Sequence, residues 1–356
     1  MKFTTNKGKL EIVISSMQPF LEKKDSSAIT SHIYLEVVNN NLTIKATDYE
    51  MGLNATITDI SSFEDGKATT NGANLLNIIR RLKNEDIIFE VTGNNLVIKQ
   101  NKSSFKLPMY NPDEYPSSPN IQNLQSLNID SFNLINSLKN IIPAIDNNNP
   151  KFELNGALID IKDQKINLVA TDTRRLAITK IENINNSATQ IIIPKKAVIE
   201  IQKLFFDKID IKYDDVNLII ENENFTFFTK LINGKFPDYG RIIPNSIAQN
   251  FEVNKNAMVE SIKLISSLQP NIKITFEPNS ILFESVDEDN EAKTQIEANL
   301  NISESFYFAV SSKFLLDFLS CATSENVEVG FNANNLPFSL SDKNFTTIVM
   351  PVILDR

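Results

Sequence analysis

The sequence predicts an α+β chain built from three topologically similar domains, and three observations carry that prediction. The order helix, strands, helix, strands recurs along its 356 residues. The tripeptide Ala-Thr-Asp stands at Ala46-Thr47-Asp48 and again at Ala170-Thr171-Asp172, each time behind an alternating run that reads as a strand. A linker-like segment, Tyr110-Asn111-Pro112-Asp113-Glu114-Tyr115, is echoed by Asn233-Gly234-Lys235-Phe236-Pro237-Asp238-Tyr239. Repetition at about one domain length marks a chain made of copies.

The first copy opens with Leu10, Val13, Ile14, Met17 and Leu21 at helical spacing, a helix over 7–24 that Pro19 bends or ends near Gln18. Strands follow at Ile33–Val38, Leu42–Ala46 and Gly52–Ile57. A second helix spans Ala73–Lys83, and further strands run at Ile87–Val91, Asn95–Lys99 and Ser104–Leu107. Pro108, Pro112, Pro116 and Pro119 then mark a linker. The second copy repeats this order with helices over Asp130–Ile142 and Lys195–Phe206, the latter opened by Pro194. Its strands read at Gly156–Ile161, Ile166–Ala170, Leu176–Lys180, Ile209–Tyr213, Val216–Glu221 and Phe225–Leu231. The third has helices over Lys255–Leu268 and Ser312–Cys321, with strands at Ile272–Glu277, Ser280–Val286, Thr294–Ala298, Val327–Phe331, Phe338–Ser341 and Phe345–Met350. The expected domains are 1–119, 120–247 and 248–356.

Composition bounds the rest. Apolar residues make up 42% and charged residues 22%, as in a soluble globular protein. No run approaches the roughly 18 apolar residues of a membrane span, and the N-terminus lacks an apolar signal core, so the cytoplasm is the expected location and no membrane partner is expected. Cys321 is the single cysteine, which excludes an internal disulfide framework and any cysteine-cluster metal site. The net charge of −9 argues against nucleic acid unless the charges are segregated. They are. The six helix windows hold 14 basic and 6 acidic residues, a balance of +8 that leaves −17 elsewhere. Helices sharing one surface would attract a polyanion that the remainder repels.

Catalysis is not expected. One histidine, His32, excludes triads, Cys–His pairs and His-rich metal sites. No Gly-rich phosphate loop is present, and no cofactor or metal is expected. Asp48 and Asp172 are the best candidate carboxylates for a hydrolase, but they occupy equivalent places in different copies, and a turn-bonding role fits them better. Asp287-Glu288-Asp289 reads as a solvated loop rather than a cation site, and Cys321 as core.

Leu154-Asn155-Gly156, Ala170-Thr171-Asp172-Thr173-Arg174-Arg175-Leu176-Ala177, Ile193-Pro194-Lys195-Lys196, Gly234-Lys235-Phe236-Pro237-Asp238-Tyr239 and Val349-Met350-Pro351 stand in the order and spacing of the bacterial sliding clamps. The chain resembles that family, the beta subunit of the replicative DNA polymerase III, along its whole length. The resemblance implies the DNA clamp fold: three similar domains per chain, and two chains joined head to tail in a ring whose helices line a pore, with antiparallel sheets outside. It implies a processivity factor that encircles duplex DNA through phosphates without reading bases. Its partners would be double-stranded DNA, a second copy of itself, and the short linear motifs of polymerase, clamp loader and repair proteins.

Carried over residue by residue, the peptide-binding groove would combine Leu154, Thr171, Thr173, Arg175 and Leu176 with Pro237, Arg241, Ile242, Phe314, Val349, Met350, Pro351 and Val352, some of them as ordinary core. DNA contacts would come from Lys24, Asn148, Lys151 and Phe152, with Arg80, Lys195 and Lys196 added by the charge argument. From position, Phe105 and Leu107 would meet Leu264 and Ile265 of the next chain. The chain departs from the family pattern in four places. Thr173 stands where Gly is common, Ala28–His32 lacks a usual Leu-Pro-Ile-Leu, and Glu153 replaces an aromatic. Leu354-Asp355-Arg356 runs past the usual end and could lap onto the groove. The reading from another class is an acidic repeat scaffold that binds no DNA.

Overall fold

Where a strand runs into a helix without a turn between them, a capping side chain can satisfy the first helical amides, and Asn does so at three of the junctions here. The Asn6 side chain accepts from the amides of Gly8 and Lys9, Asn71 from Asn74, and Asn254 from Ala257. The computed structural model describes the chain except Asp59, 121–123, Asp163, 184–187, 287–290 and 355–356. Among the described residues one unit, strand–helix–three strands, occurs six times. The first pair is β1 (Lys2–Asn6), α1 (Lys7–Met17), β2 (His32–Val38), β3 (Asn41–Thr47) and β4 (Met51–Ile57), an extra strand β5 (Ser61–Glu64), then β6 (Gly66–Asn71), α2 (Gly72–Arg81), β7 (Asp86–Thr92), β8 (Asn95–Gln100) and β9 (Ser103–Pro108). The second pair is β10 (Gln125–Ser126), α3 (Ser131–Ile141), β11 (Gly156–Lys162), β12 (Lys165–Thr171) and β13 (Arg175–Glu182), then β14 (Thr189–Pro194), α4 (Lys195–Leu204), β15 (Asp210–Tyr213), β16 (Asn217–Glu221) and β17 (Phe225–Lys230). The third is β18 (Gln249–Asn254), α5 (Lys255–Ser266), β19 (Asn271–Glu277), β20 (Ser280–Ser285) and β21 (Lys293–Glu297), then β22 (Phe306–Ser311), α6 (Ser312–Cys321), β23 (Asn326–Phe331), β24 (Phe338–Asp342) and β25 (Phe345–Val349).

Every helix expected from periodicity is present. Pro19 converts the end of the first into a 3-10 turn, Gln18–Phe20, and Pro143 does the same at Ile142–Ala144. Amphipathic phase places the charge: α2 buries Leu75, Leu76 and Ile79 while Arg80 and Arg81 stay exposed.

Among the described residues all strand pairs are antiparallel, and the leading strand of each unit crosses to the other unit of its pair. Thus β1 pairs with β7 and β6 with β2; β10 pairs with β15 and β14 with β11; β18 pairs with β23 and β22 with β19. The last strands fuse sheets across pairs, β4 with β17 and β13 with β25. Two compact units result. One holds 1–131 and 203–231, with the sheets β5-β1-β7-β8-β9 and β10-β15-β16-β17-β4-β3-β2-β6. The other holds 132–202 and 232–356, with β14-β11-β12-β13-β25-β24-β23-β18 and β21-β20-β19-β22.

Aromatic packing fills both interiors. In the first unit Phe3 stacks on Phe89 at 4.9 Å, and Phe227 meets Phe20 and Phe205 edge-on. In the second, Phe308 stacks on Phe338 and Phe306 on Phe331, each at 3.9 Å.

His32, set aside as a catalyst, lies buried in the first unit with its ring stacked on Tyr110 at 4.4 Å. Its Nδ1 has no hydrogen-bond partner, and burial pushes its pKa down to about 4. A base whose folded pKa lies below its unfolded value binds fewer protons when folded. Its contribution is therefore intact above about pH 6.5 and is lost as pH falls toward 4. The shift corresponds to about 3 kcal/mol. His32→Phe keeps the stack and removes the titration, so its unfolding free energy, measured in urea from pH 7 to pH 4, should fall less than that of the wild type. Parallel curves would exclude the effect.

Candidate functional site

The turn between β12 and β13 is built by its own side chains. The Thr171 hydroxyl donates to the Arg175 carbonyl at 2.7 Å and accepts from the Thr173 amide at 3.1 Å. One Asp172 carboxylate oxygen accepts from the amides of Arg174 and Arg175 at 3.1 and 3.0 Å. Thr47 and Asp48 make the same bonds to Tyr49, Glu50 and Met51 in the first unit. Both carboxylates thus hold turns, as their residue type predicts, and Asp172 has no oxygen left over for general-base work.

This turn forces Thr173 to φ +73° and Tyr49 to φ +70°, the left-handed region where side chains other than Gly are strained. That is the physical reason Gly suits the position of Thr173. Thr173→Gly should raise stability by about 1 kcal/mol. Urea unfolding checks it; a lower midpoint would mean the Thr side chain holds the turn in another way.

Arg175 is the hub beneath the turn. Its side chain is 2% exposed; Nε donates to Asp172 at 3.1 Å, Nη1 to Asp317 at 2.7 Å, and Nη2 to the Pro143 carbonyl. Phe314 caps the guanidinium face at 4.5 Å. One side chain therefore joins β13, α6 and the turn after α3. Asp317 and Pro143 were not expected from the sequence: a lone acid in an amphipathic helix carries no sign of its distant partner.

Beside this hub Leu154, Leu176 and Val349 are buried, and Leu154 and Leu176 form a cluster with Leu158, Val169, Ile178, Ile192, Phe236, Tyr239 and Ile348. Of the other expected groove residues, Thr173, Pro237, Arg241, Ile242 and Met350 are exposed, while Phe314, Pro351 and Val352 are half-buried and Thr171 is buried. The Met350 amide donates to the Arg174 carbonyl at 2.9 Å, and the Val352 amide to the Ala309 carbonyl at 2.7 Å, so this segment is pinned along β13 and β22. All thirteen expected groove residues belong to the second unit. Ile353, 80% exposed just beyond them, is an apolar group that sequence reasoning missed; its adjacency to Val352 is the only signal that could have found it. Asp355 and Arg356 lie outside the described residues, as do Asp287, Glu288 and Asp289.

Lys24 and Arg80 are exposed in the first unit; Asn148, Lys151, Phe152 and Lys196 are exposed in the second. Phe152 presents 73% of its surface to solvent. Glu153 is half-buried where a Cβ on Gly234 would meet its Cγ at 2.5 Å. Lys195 differs from Lys196. Its ammonium donates to the Ile145 carbonyl at 2.6 Å, and burial, with Lys313 and Arg175 nearby, pushes its pKa down. It is a structural cation first.

Phe105 and Leu107 lie half-buried on β9, an outermost strand of its sheet, as expected. On α5, Leu264 is 61% exposed but Ile265 is 1% exposed and packs in its own core, so Ile265 is corrected to a core residue. Helical phase turns the two neighbours about 100° apart.

Among the described residues no group of three or more His, Cys, Asp or Glu could hold a metal, and no helix is long and apolar enough to cross a membrane. Family models of the DNA polymerase III beta subunit match throughout: the N-terminal domain over 1–120, the central domain over 128–238 and the C-terminal domain over 240–354. A beta sliding clamp of Helicobacter pylori is 41% identical over 374 residues, covering 99% of this chain and all of the relative. The beta sliding clamp of Vibrio cholerae is 25% identical, covering 99% of this chain and all of that one. Among solved structures, the Helicobacter pylori beta clamp bound to a DNA ligase peptide superposes with a TM-score of 0.93 at 40% identity, over 99% of this chain and 100% of that one.

Proposed function

The chain belongs to the DNA polymerase III beta subunit family, the non-enzymatic DNA sliding clamps, and we propose that two copies close head to tail around duplex DNA, each offering the groove beside Arg175 to short peptide motifs. The carrying observation is the pairing of last strands. Six units end in β4, β9, β13, β17, β21 and β25; four of them fuse sheets as β4–β17 and β13–β25. Among the described residues β9 pairs only with β8 and β21 only with β20. Unpaired edges of this kind are templates for another chain. Pairing β9 of one copy with β21 of the next repeats the internal junction, and two copies use up all four of these last-strand edges. Phe105 and Leu107 on one side and Leu264 on the other supply apolar contact.

The basic helices supply the DNA contact, with Arg80 and Lys196 among exposed groups that meet phosphates, together with Lys24, Asn148, Lys151 and Phe152. Contacts to phosphate without base readout give tethering without a fixed position. In the groove, the buried floor of Leu154, Leu176 and Val349 and the exposed Pro237, Ile242 and Met350 suit apolar anchors of a peptide, and Arg175 fixes the turn that forms one wall. The Helicobacter pylori clamp binds a DNA ligase peptide, which supports peptide motifs of replication and repair proteins as ligands. Replication places this work in the cytoplasm. The family has no place for an acidic scaffold that ignores DNA.

The test is retention on DNA after loading. The protein should stay on nicked circular duplex, leave when the circle is linearised, and leave the linear form faster at higher salt. Equal loss from circle and linear duplex would overturn the ring.

A further inference from the structure

Three of the expected groove residues are carried by a turn that a side chain outside the groove holds down. Pro237 on one side and Arg241 and Ile242 on the other bracket Tyr239, and the Ile242 amide donates to the Tyr239 carbonyl at 3.1 Å to close the 3-10 turn Tyr239–Arg241. Where Tyr239 sits therefore decides where Arg241 and Ile242 sit. Its ring is buried in the same cluster as Leu154 and Leu176, two residues of the groove floor.

The register across β14, β11 and β12 builds the seat. Ile192, Leu158 and Val169 stand side by side in one row, and all three pack in the cluster around the ring. Two residues along, the same face of the sheet carries Gln190, Asp160 and Asn167 in a second row. The Tyr239 hydroxyl donates to one Asp160 oxygen and accepts from the Asn167 amide at 2.9 Å. Gln190 donates to the other Asp160 oxygen at 2.9 Å. The exposed Lys162 ammonium closes on Asp160 at 2.7 Å and lies over the Tyr239 ring at 5.3 Å. Asp160 itself is 1% exposed, so the phenol bonds a carboxylate shielded from water, which makes for a strong, directional contact.

The first copy is built differently at the same place. Its corresponding row is Lys67, Glu36 and Thr43, and Tyr115, which ends the matching linker segment, instead meets the backbone carbonyls of His32 and Lys45 at 3.0 and 3.3 Å. That linker carries none of the expected groove residues. The buried carboxylate thus accompanies the groove, whereas the fold alone is served by a tyrosine on backbone carbonyls.

We propose that Asp160 and Tyr239 are the positioning pair of the peptide groove: their bond holds the 239–241 turn where Pro237, Arg241 and Ile242 line it. The inference rests on the groove proposed above and adds what sets its shape. With the bond in place the turn is ready before a peptide arrives. Without it the turn leaves its seat for part of the time, and a peptide meets a competent groove less often.

The test is the binding kinetics of a fluorescein-labelled DNA ligase peptide, followed by stopped-flow anisotropy. Tyr239→Phe keeps the ring in its cluster and removes only the hydroxyl. Its association rate should fall about tenfold with the dissociation rate unchanged, the pattern of a less populated competent state. Asp160→Asn keeps an oxygen that can accept from the phenol and should stay within about threefold of the wild-type association rate. Tyr115→Phe removes the matching hydroxyl from the first unit and should leave both rates at their wild-type values, a contrast that a purely structural role would not give. An unchanged association rate in Tyr239→Phe, a loss carried by dissociation, or an equal loss in Tyr115→Phe overturns the positioning role and leaves the groove in place. No binding by the wild type overturns the groove itself, and this role with it.

Discussion

Arg175→Ala is expected to destabilise the second unit by about 3–5 kcal/mol, the usual consequence of removing one member of a buried ionic network. The guanidinium is 2% exposed and meets two carboxylates and a carbonyl, with Phe314 against its face. Its loss strands Asp172 without its cation, leaves Asp317 with only the exposed Lys313 at 3.7 Å, and leaves the Pro143 carbonyl without that donor. Asp172 also fixes the 171–175 turn, so peptide affinity should fall together with stability. Arg175→Lys retains the charge but not the planar fork that reaches three acceptors at once, and it should lie between wild type and Ala. Urea unfolding and peptide titration of both variants give the answer. A loss below about 1 kcal/mol in Arg175→Ala would mean the network is worth no more than a surface pair.

The second large effect concerns assembly. Phe105→Asp with Leu107→Asp puts two carboxylates on one face of β9, an outermost strand. Burying unpaired charge in a sheet-to-sheet junction is strongly unfavourable, while the same charges on a free edge are well tolerated. The variant should therefore stay folded, with its solution mass falling to that of one 40.1 kDa chain and its retention on circular duplex lost. A mass that remains at two chains would place the junction elsewhere.

The helices and most of the strands could be read from periodicity, because their apolar positions recur at spacings that only one backbone geometry satisfies. Among the described residues, five of the seven strands that escaped share a cause. β1, β6, β14, β18 and β22 each lead directly into a helix. No Gly or Pro turn separates the two periods, and a short run such as Gln190-Ile191-Ile192-Ile193 is swallowed by the helix signal that follows. In the candidate site the Thr171–Arg175 turn was legible as a motif, and the Gly preference at Thr173 follows from its φ. The burial of Arg175 was not legible, since its partners Asp317 and Pro143 are distant in sequence and only the fold brings them to it. Ile265 is core while its neighbour Leu264 is exposed, because helical phase decides which of two apolar neighbours faces the core.

The crossing of leading strands between units bears on how the chain is made. β1 has no β7 to pair with until the chain has grown beyond Thr92, and β4 waits for β17 at Phe225–Lys230. β13 is the last to close, because its partner β25 is not complete until Val349. Such long-range closures slow folding. During synthesis β13 therefore carries an open edge that only β25 covers. A chain cut short before Phe345 would keep that edge exposed, lose the Arg174–Met350 bond at the groove, and present the kind of unpaired strand on which aggregation begins. The groove we propose for peptides thus cannot be finished before Met350 has been made, and a chain truncated ahead of it would lack part of that groove.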